Sequence, residues 1–415
     1  MKQIINILLG LILFFPFNGQ AQQKIMPLDS VLSLIERNHP MLESFRHKLK
    51  SYDYQAEGKS SWMAPMAGLG TFMTPYPGQR IMNDADKGSV MLQLEQAIPN
   101  KSKQNAEKDY VLSLKKGVDV QKSIVWNEMR SYARELYIGW IMAEKKIALL
   151  EKNFPLLEML KKIAEVRYPY NKSELGEIYK AEAEIEKNKN EILELNGEIA
   201  FARTQLNYLM NLPNDHDFMP DTSMVPVFQP LLADPLIIEE SRKDVEMLRL
   251  NTLSMQKAIE LKSLERKPEF SIRFDHMSPL GGMMPQGFSI MGMMSIPIAP
   301  WASKGYKSEI KSMQSQVLAM EKEKEGMINE AKGKISGLQQ RIISSMGKIE
   351  GLSQKVIPAY RKSLDARMIS YQEDNLPLSR VLESWKELQD MEMEWLNQQY
   401  NLFKMIIEYE KEFYK

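Results

Sequence analysis

Apolar residues recur at intervals of three and four along most of this chain, as at Leu149, Leu150, Phe154, Leu157 and Leu160, which is the spacing of a helix with one packed face. Four short stretches break that rhythm and alternate with period two. In FSIRFDHM (270–277), Phe270, Ile272 and Phe274 fall on one side and Ser271, Arg273 and Asp275 on the other. Val90, Leu92 and Leu94 likewise oppose Gln93 and Glu95, while MAGLGTFMT and FSIMGMMSIPI alternate less cleanly. The pattern predicts helices over 29–61 and 235–267, each followed by a strand pair: 65–74 with 88–98, and 268–277 with 287–298. Very long helices over 101–167 and 303–370 come next, then breaks at PYNKSEL and QEDNLPL, then last helices over 175–212 and 378–413. A helix over 101–167 has a length of about 100 Å at ~1.5 Å per residue, more than one globular domain needs. Pro155 and Pro358 fall inside the long helices; each removes a hydrogen bond and predicts a kink or a break.

That order of elements occurs twice. Pro65 and Pro268, Pro155 and Pro358, Tyr168 and Tyr371, Leu175 and Leu378, and Ile178 and Val381 are all 203 residues apart. HPMLESFRHKLK resembles VEMLRLNTLSMQ at a slightly larger offset. One constant offset across five landmarks in the same order indicates an internal repeat. The chain divides into a first repeat over 22–212, a polar, proline-rich linker over 213–234 and a second repeat over 235–415.

Residues 1–21 read differently. Lys2 precedes an apolar run from Ile4 to Phe17, interrupted by Asn6 and ended near Pro16, and Gly19-Gln20-Ala21 offers small residues at a cleavage site. This is the pattern of a secretory signal peptide, with the mature chain starting near Gln22; an uncleaved N-terminal anchor is the competing reading. The chain has no cysteine, so it carries neither a disulfide nor a lipid on a processed N-terminal cysteine. Lys plus Arg and Asp plus Glu balance at 54 each, which leaves no basic surplus for nucleic acid. Beyond residue 21 no apolar run is long enough for a transmembrane helix. Entry into a membrane would require a closed β-barrel, because lipid offers no partner to unpaired backbone groups.

The four predicted strands are near the ~9–11 residues that a tilted transmembrane strand needs, and their alternation is that of an outer-membrane barrel. A sheet with one face buried in a water-soluble protein gives the same alternation. Four strands do not close a pore, since single-chain barrels start at about eight, so a barrel would be shared among chains. The signal peptide, the twofold repeat, the helix–hairpin–long helix–helix order and an ERNHPML start together resemble the TolC-type outer-membrane efflux proteins over essentially the whole mature chain. The resemblance implies a mainly α fold with a small β part: a long α-helical barrel continued by a transmembrane antiparallel β-barrel, four strands per chain and twelve in a homotrimer. It also implies an outer membrane of a Gram-negative bacterium, a periplasmic adaptor and an inner-membrane pump as partners, and passive export with no cofactor.

The same resemblance places adaptor docking and the narrow entrance at the two breaks, marked by Tyr168, Asn171, Leu175, Tyr371, Asp374 and Leu378. Where other members carry an acidic ring just after the second turn, this chain has Arg380 and Glu383, with Glu177 and Lys180 as first-half equivalents. Arg380 departs from the acidic type, so mixed pairs with a weaker cation preference are expected. Ordinary surface charges at helical spacing are the competing reading. Thirty methionines are the other unusual feature. Met277, Met283, Met284, Met291, Met293 and Met294 crowd one hairpin beside His276, and Met63, Met66, Met73, Met82 and Met91 the other. Thioethers suit Cu(I) or Ag(I), as in the CusC-like branch, although methionine is also flexible apolar filler and occurs far from the hairpins. His39, His47, His216 and His276 show no zinc spacing, and there is no P-loop, GxSxG or glycine-rich dinucleotide turn. A periplasmic coiled-coil adaptor or scaffold is the alternative from another class, and a periplasmic enzyme lacks a catalytic constellation.

Overall fold

The computed structural model describes residues 25–232, 234–282 and 285–414; the expected signal peptide, Met283 and Met284 lie outside the described residues. In chain order the elements are β1 (Ile25–Met26), α1 (Leu28–Asn38), α2 (Pro40–Gly58), β2 (Met66–Phe72), β3 (Ser89–Ile98), α3 (Lys101–Arg167), α4 (Leu175–Leu209) and β4 (Met219–Pro220). They continue as α5 (Pro235–Ser241), α6 (Lys243–Ser263), β5 (Phe270–Pro279), β6 (Gly287–Met294), α7 (Pro300–Gly351), a π turn (Leu352–Val356), α8 (Ile357–Gln372) and α9 (Leu378–Glu412). Among the described residues no helix is long and apolar enough to cross a membrane.

Two compact units form, and each takes segments from both halves of the sequence. Among the described residues, the first comprises 25–40, 128–230 and 338–411, and the second those within 41–127, 231–337 and 412–414.

In the first unit, Tyr137, Ile138, Trp140, Ile141, Met142 and Ala143 of α3 are all buried. A helix apolar nearly all round is a helix packed on several sides. Val31 and Ile35 of α1, Leu206 of α4 and Ile407 of α9 are buried in the same unit, and the rings of Trp140 and the buried Phe218 lie 5.1 Å apart. β1 pairs in parallel with β4. Beneath that short ladder the Tyr137 hydroxyl donates to the Met26 carbonyl at 2.8 Å and accepts from the Asp221 N–H at 2.7 Å. A second core joins α3, α4, α8 and α9 through Leu157, Leu160, Ile185, Leu364, Leu382 and Trp385.

The second unit holds the only sheet of more than two strands among the described residues, in the order β2-β3-β5-β6, antiparallel throughout. The register puts Leu92 opposite His276, Leu94 opposite Phe274 and Ile98 opposite Phe270. Leu69 of β2 falls opposite Leu92, and Ile290 of β6 opposite Phe274. One face therefore carries Leu69, Leu92, Leu94, Ile98, Phe270, Ile272, Phe274, Phe288, Ile290 and Met294, every one of them exposed, together with the half-buried Val90, Gln96 and His276. The other face carries Gln93, Glu95, Ser271, Arg273, Asp275 and Ser289. There the Ser271 hydroxyl donates to Glu95 at 3.0 Å and Arg273 pairs with Asp275 at 2.9 Å. β2 and β6 are each paired on one side only, so the sheet is open at both ends.

Several sequence expectations need correction. The helices expected over 29–61 and 235–267 are each two helices, interrupted at His39 and Arg242, both in extended conformation. His39 precedes Pro40, whose ring disfavours helical backbone in the residue before it. Pro155 causes no break: α3 runs on from Lys101 to Arg167 around it. Leu150, Leu157 and Leu160 on either side are fully buried, and that packing offsets the lost hydrogen bond. At Pro358 the interruption is real. The proline ring meets the carbonyl four residues earlier in regular α winding, and a π turn over Leu352–Val356 relieves that clash. The offset of 203 also reappears in the backbone: Asn171 and Asp374 (φ 56° and 63°), and Asn211 and Tyr414 (56° and 57°), are left-handed pairs.

Tyr137→Phe keeps the ring and deletes both hydrogen bonds of its hydroxyl. The variant is expected to lose about 1–3 kcal/mol of stability by leaving two backbone groups without that partner, measured by denaturant unfolding against the unsubstituted protein.

Candidate functional site

Two turns of the first unit, one at the end of α3 and one at the end of α8, are built to the same plan. Arg167 closes α3, a 3-10 turn covers Tyr168–Tyr170, and Asn171 takes the left-handed conformation that lets the chain reverse. In the second turn Asp374 does the same after α8. Asn and Asp tolerate this backbone better than other non-glycine residues.

The turns are bound to each other by side chains. Arg167 donates to the Tyr371 and Gln372 carbonyls at 3.0 and 3.3 Å. These lie in the last turn of α8, where helical carbonyls lack an internal partner and favour a cation. The same guanidinium sits 3.0 Å from Asp374 and 4.6 Å from the centre of the Tyr371 ring. Lys172 takes the second Asp374 oxygen at 2.6 Å. The hydrogen bond from Lys172 is the main reason that the Asp374 carboxyl is held below its ordinary pKa, with the charges of Lys172 and Arg167 adding to it against a partial desolvation. Burial pushes the Tyr371 hydroxyl up.

Glu177 occupies a different place from the other entrance candidates. It is only 7% exposed. One carboxylate oxygen accepts from the Ser173 hydroxyl at 2.7 Å and from the Glu174 N–H at 3.3 Å; the other accepts from the Ser379 N–H at 3.0 Å. It therefore caps α4 and α9 at once, with its charge at two helix N-termini. Lys180, Arg380 and Glu383 do come together, at the surface: Glu383 lies 3.1 Å from Arg380 and 3.8 Å from Lys180. The Arg380 carbonyl accepts from Arg367 at 3.3 Å. Two cations thus converge on one carboxylate. Each exposed pair contributes at most ~1 kcal/mol.

Of the expected docking residues, Tyr168, Asn171, Leu175 and Asp374 are at the surface, whereas Tyr371 and Leu378 are 2% and 0% exposed and belong to the core beneath. Sequence reasoning missed Arg167, Lys172 and the highly exposed Tyr170. A basic residue in the last turn of a long helix was a usable signal for Arg167. The methionines are not gathered at one point. Met277, Met291 and Met293 register on the sheet face of Arg273 and Asp275, while Met294 registers on the face of Phe270.

No protein-family model matches the sequence, and no curated protein matches it. Solved structures do match in fold. CusC superposes with a TM-score of 0.74 at 14% identity, over 93% of this chain and 91% of that chain. VceC, an outer-membrane protein of Vibrio cholerae, gives 0.70 at 12% identity over 93% and 95%. The CmeC outer-membrane channel of Campylobacter jejuni gives 0.70 at 13% identity over 93% and 85%. The fold is that of the TolC-type outer-membrane channels. Like those structures, this chain is mostly helical with a small sheet.

The clamp has a pH dependence with a definite sign. Because the folded-state pKa of Asp374 is depressed, its contribution is present above the ordinary carboxylate pKa and is lost as pH falls through the depressed value. Hydrogen exchange over residues 369–378 is expected to quicken on acidification through that range. In Lys172→Met the quickening should start at higher pH, and in Arg167→Met exchange should already be fast at neutral pH, read by mass spectrometry of the peptic fragments.

Proposed function

We propose that this chain is one subunit of a passive outer-membrane efflux duct, a homotrimer that passes small molecules from a periplasmic adaptor and an inner-membrane pump to the outside. The observation that carries the reading is the open four-stranded sheet with one mainly apolar face whose large apolar side chains are exposed. Leu69 is 79% exposed and Phe288 70%, which in water is a large penalty and in lipid none. Three copies would supply twelve strands and pair the free edges of β2 and β6, with the apolar face toward lipid and the face of Arg273 and Asp275 toward the lumen. The two sequence halves, with their common offset, are read as structural repeats of one ancestral unit, and residues 1–21 as the signal that directs export. The helices would carry the duct across the periplasm and end at the paired turns, where the adaptor docks on Tyr168, Asn171, Leu175 and Asp374. Nothing in this role requires bond-making chemistry.

A second reading, export of Cu(I) or Ag(I), has one observation in its favour: Met91 stands directly opposite Met277 on the polar sheet face that also holds Met291 and Met293. Thioethers lining a lumen would give soft cations weak, exchangeable contacts. Growth of a deletion strain on copper and silver, against growth on detergents and dyes, separates the two cargo classes.

The subunit reading is tested by fractionation. The protein is expected in outer-membrane detergent extracts as a heat-sensitive trimer, and a freely soluble monomer would overturn it. At the entrance, Arg380→Ala with Glu383→Ala should raise single-channel conductance in planar bilayers by removing the contacts that hold Lys180, Arg380 and Glu383 together. An unchanged conductance would take those residues out of the gate.

A further inference from the structure

The first unit contains a cleft of about 910 Å³ that none of the turn residues lines, near the upper end of the ~300–1,000 Å³ typical of small-molecule sites. Its floor is apolar, from Leu149 of α3, Ile357 and Pro358 of α8 and Trp395 and Leu396 of α9, and the linker closes one side with Met224, Val225 and Pro226. The π turn before Pro358 forms part of this wall through Ser353; such extra-residue turns occur frequently at functional sites. The linker wall is held at both ends. The Asp221 N–H is fixed by Tyr137, and the Phe228 ring packs edge-on against Tyr409 at 5.1 Å. The cavity is therefore preformed.

Its rim is basic. Lys145, Lys152, Arg361 and Lys362 line the cleft against Asp365 and Glu392, in a chain whose charges otherwise balance. Arg361 is paired with Glu392 at 2.6 Å. Lys145, Lys152 and Lys362 make no ion pair among the described residues, which leaves three ammonium groups over an apolar floor. A neutral apolar ligand would not use them, and an amphiphilic cation would be repelled.

We propose that this cleft binds a single-chain amphiphilic anion, with its acyl chain on the Leu149–Ile357–Trp395 floor and its carboxylate or phosphate head at Lys145, Lys152 and Lys362. The long chain matches the size and apolar character of the cleft, and an anionic head complements the lysines on its rim. The site does not depend on the channel reading.

The test is photo-crosslinking of the full-length protein with a diazirine-bearing long-chain fatty acid, and in a second arm with the matching acyl lysophosphatidic acid, followed by mass-spectrometric mapping. Labelling is expected in peptides spanning 224–226, 353–362 and 392–399 and should be competed away by excess unlabelled ligand. The arm that labels at lower concentration identifies the head group. The combined change Lys145→Glu, Lys152→Glu and Lys362→Glu should weaken labelling by about tenfold or more, at least the loss of one charge-assisted hydrogen bond. Ile357→Trp, which fills the floor and leaves the charges alone, should block it while the thermal melt stays cooperative. Equal labelling by a diazirine alkyltrimethylammonium, labelling only outside these peptides, or no saturable labelling would each overturn the proposal. The last is the result expected if a second copy of the chain fills the cleft.

Discussion

Backbone N–H and C=O groups along the outer edges of β2 and β6 have no strand partner among the described residues, and that constraint bears on how the remainder can be used. A polar backbone group removed from water without a partner costs more than most side-chain contacts recover. Water satisfies such edges in a soluble protein, but then it also wets Leu69, Leu92, Phe270, Ile272 and Phe288 on the same sheet. Lipid removes the second cost and makes the first intolerable. The two demands are met together when the edges are paired by strands of other copies and the apolar face turns outward. In the proposed duct, membrane insertion and assembly would then be one event.

Much of this was legible in the sequence, and the parts that were not have physical reasons. β3 and β5 showed their two faces because Leu92, Leu94, Phe270, Ile272 and Phe274 alternate with polar residues. β2 and β6 did not, since Gly68, Gly70, Gly287 and Gly292 contribute no side chain to either face. The break at His39 can be read from the proline that follows it, whereas Arg242 carries no such mark and its interruption emerges only in the fold. Pro155 misled in the opposite direction, because a proline deletes a hydrogen bond locally while the packing of Leu150, Leu157 and Leu160 is decided by helices far away in sequence. Arg380 and Glu383 were found through the family resemblance, and Glu177 and Lys180 as their counterparts at the repeat offset. That Glu177 is a buried double cap was not legible, because its second partner, the Ser379 N–H, lies 202 residues along the chain.

That separation is not peculiar to Glu177. The contacts that tie one turn to the other join residues 202 apart for Lys172 and Asp374, and 204 and 205 apart for Arg167 with Tyr371 and Gln372. The buried amides Asn188 and Gln389, 3.0 Å apart, are 201 residues apart. All of these fall within two residues of the repeat offset, so the two turns lie against each other nearly equivalent residue to equivalent residue. Such an arrangement places like beside like if the halves are identical, and like charges at these distances repel. The chain resolves this by differing at the places that touch. Lys180 answers Glu383, its own counterpart at the offset of 203; Glu177 corresponds to Arg380, and Asn171 to Asp374. Had both halves kept an acidic residue at the 180/383 position, closing the turns would have needed a cation from outside to bridge them. With one lysine and one glutamate the subunit supplies its own. A contact between a lysine and a glutamate has less need of a bound metal ion than one between two carboxylates.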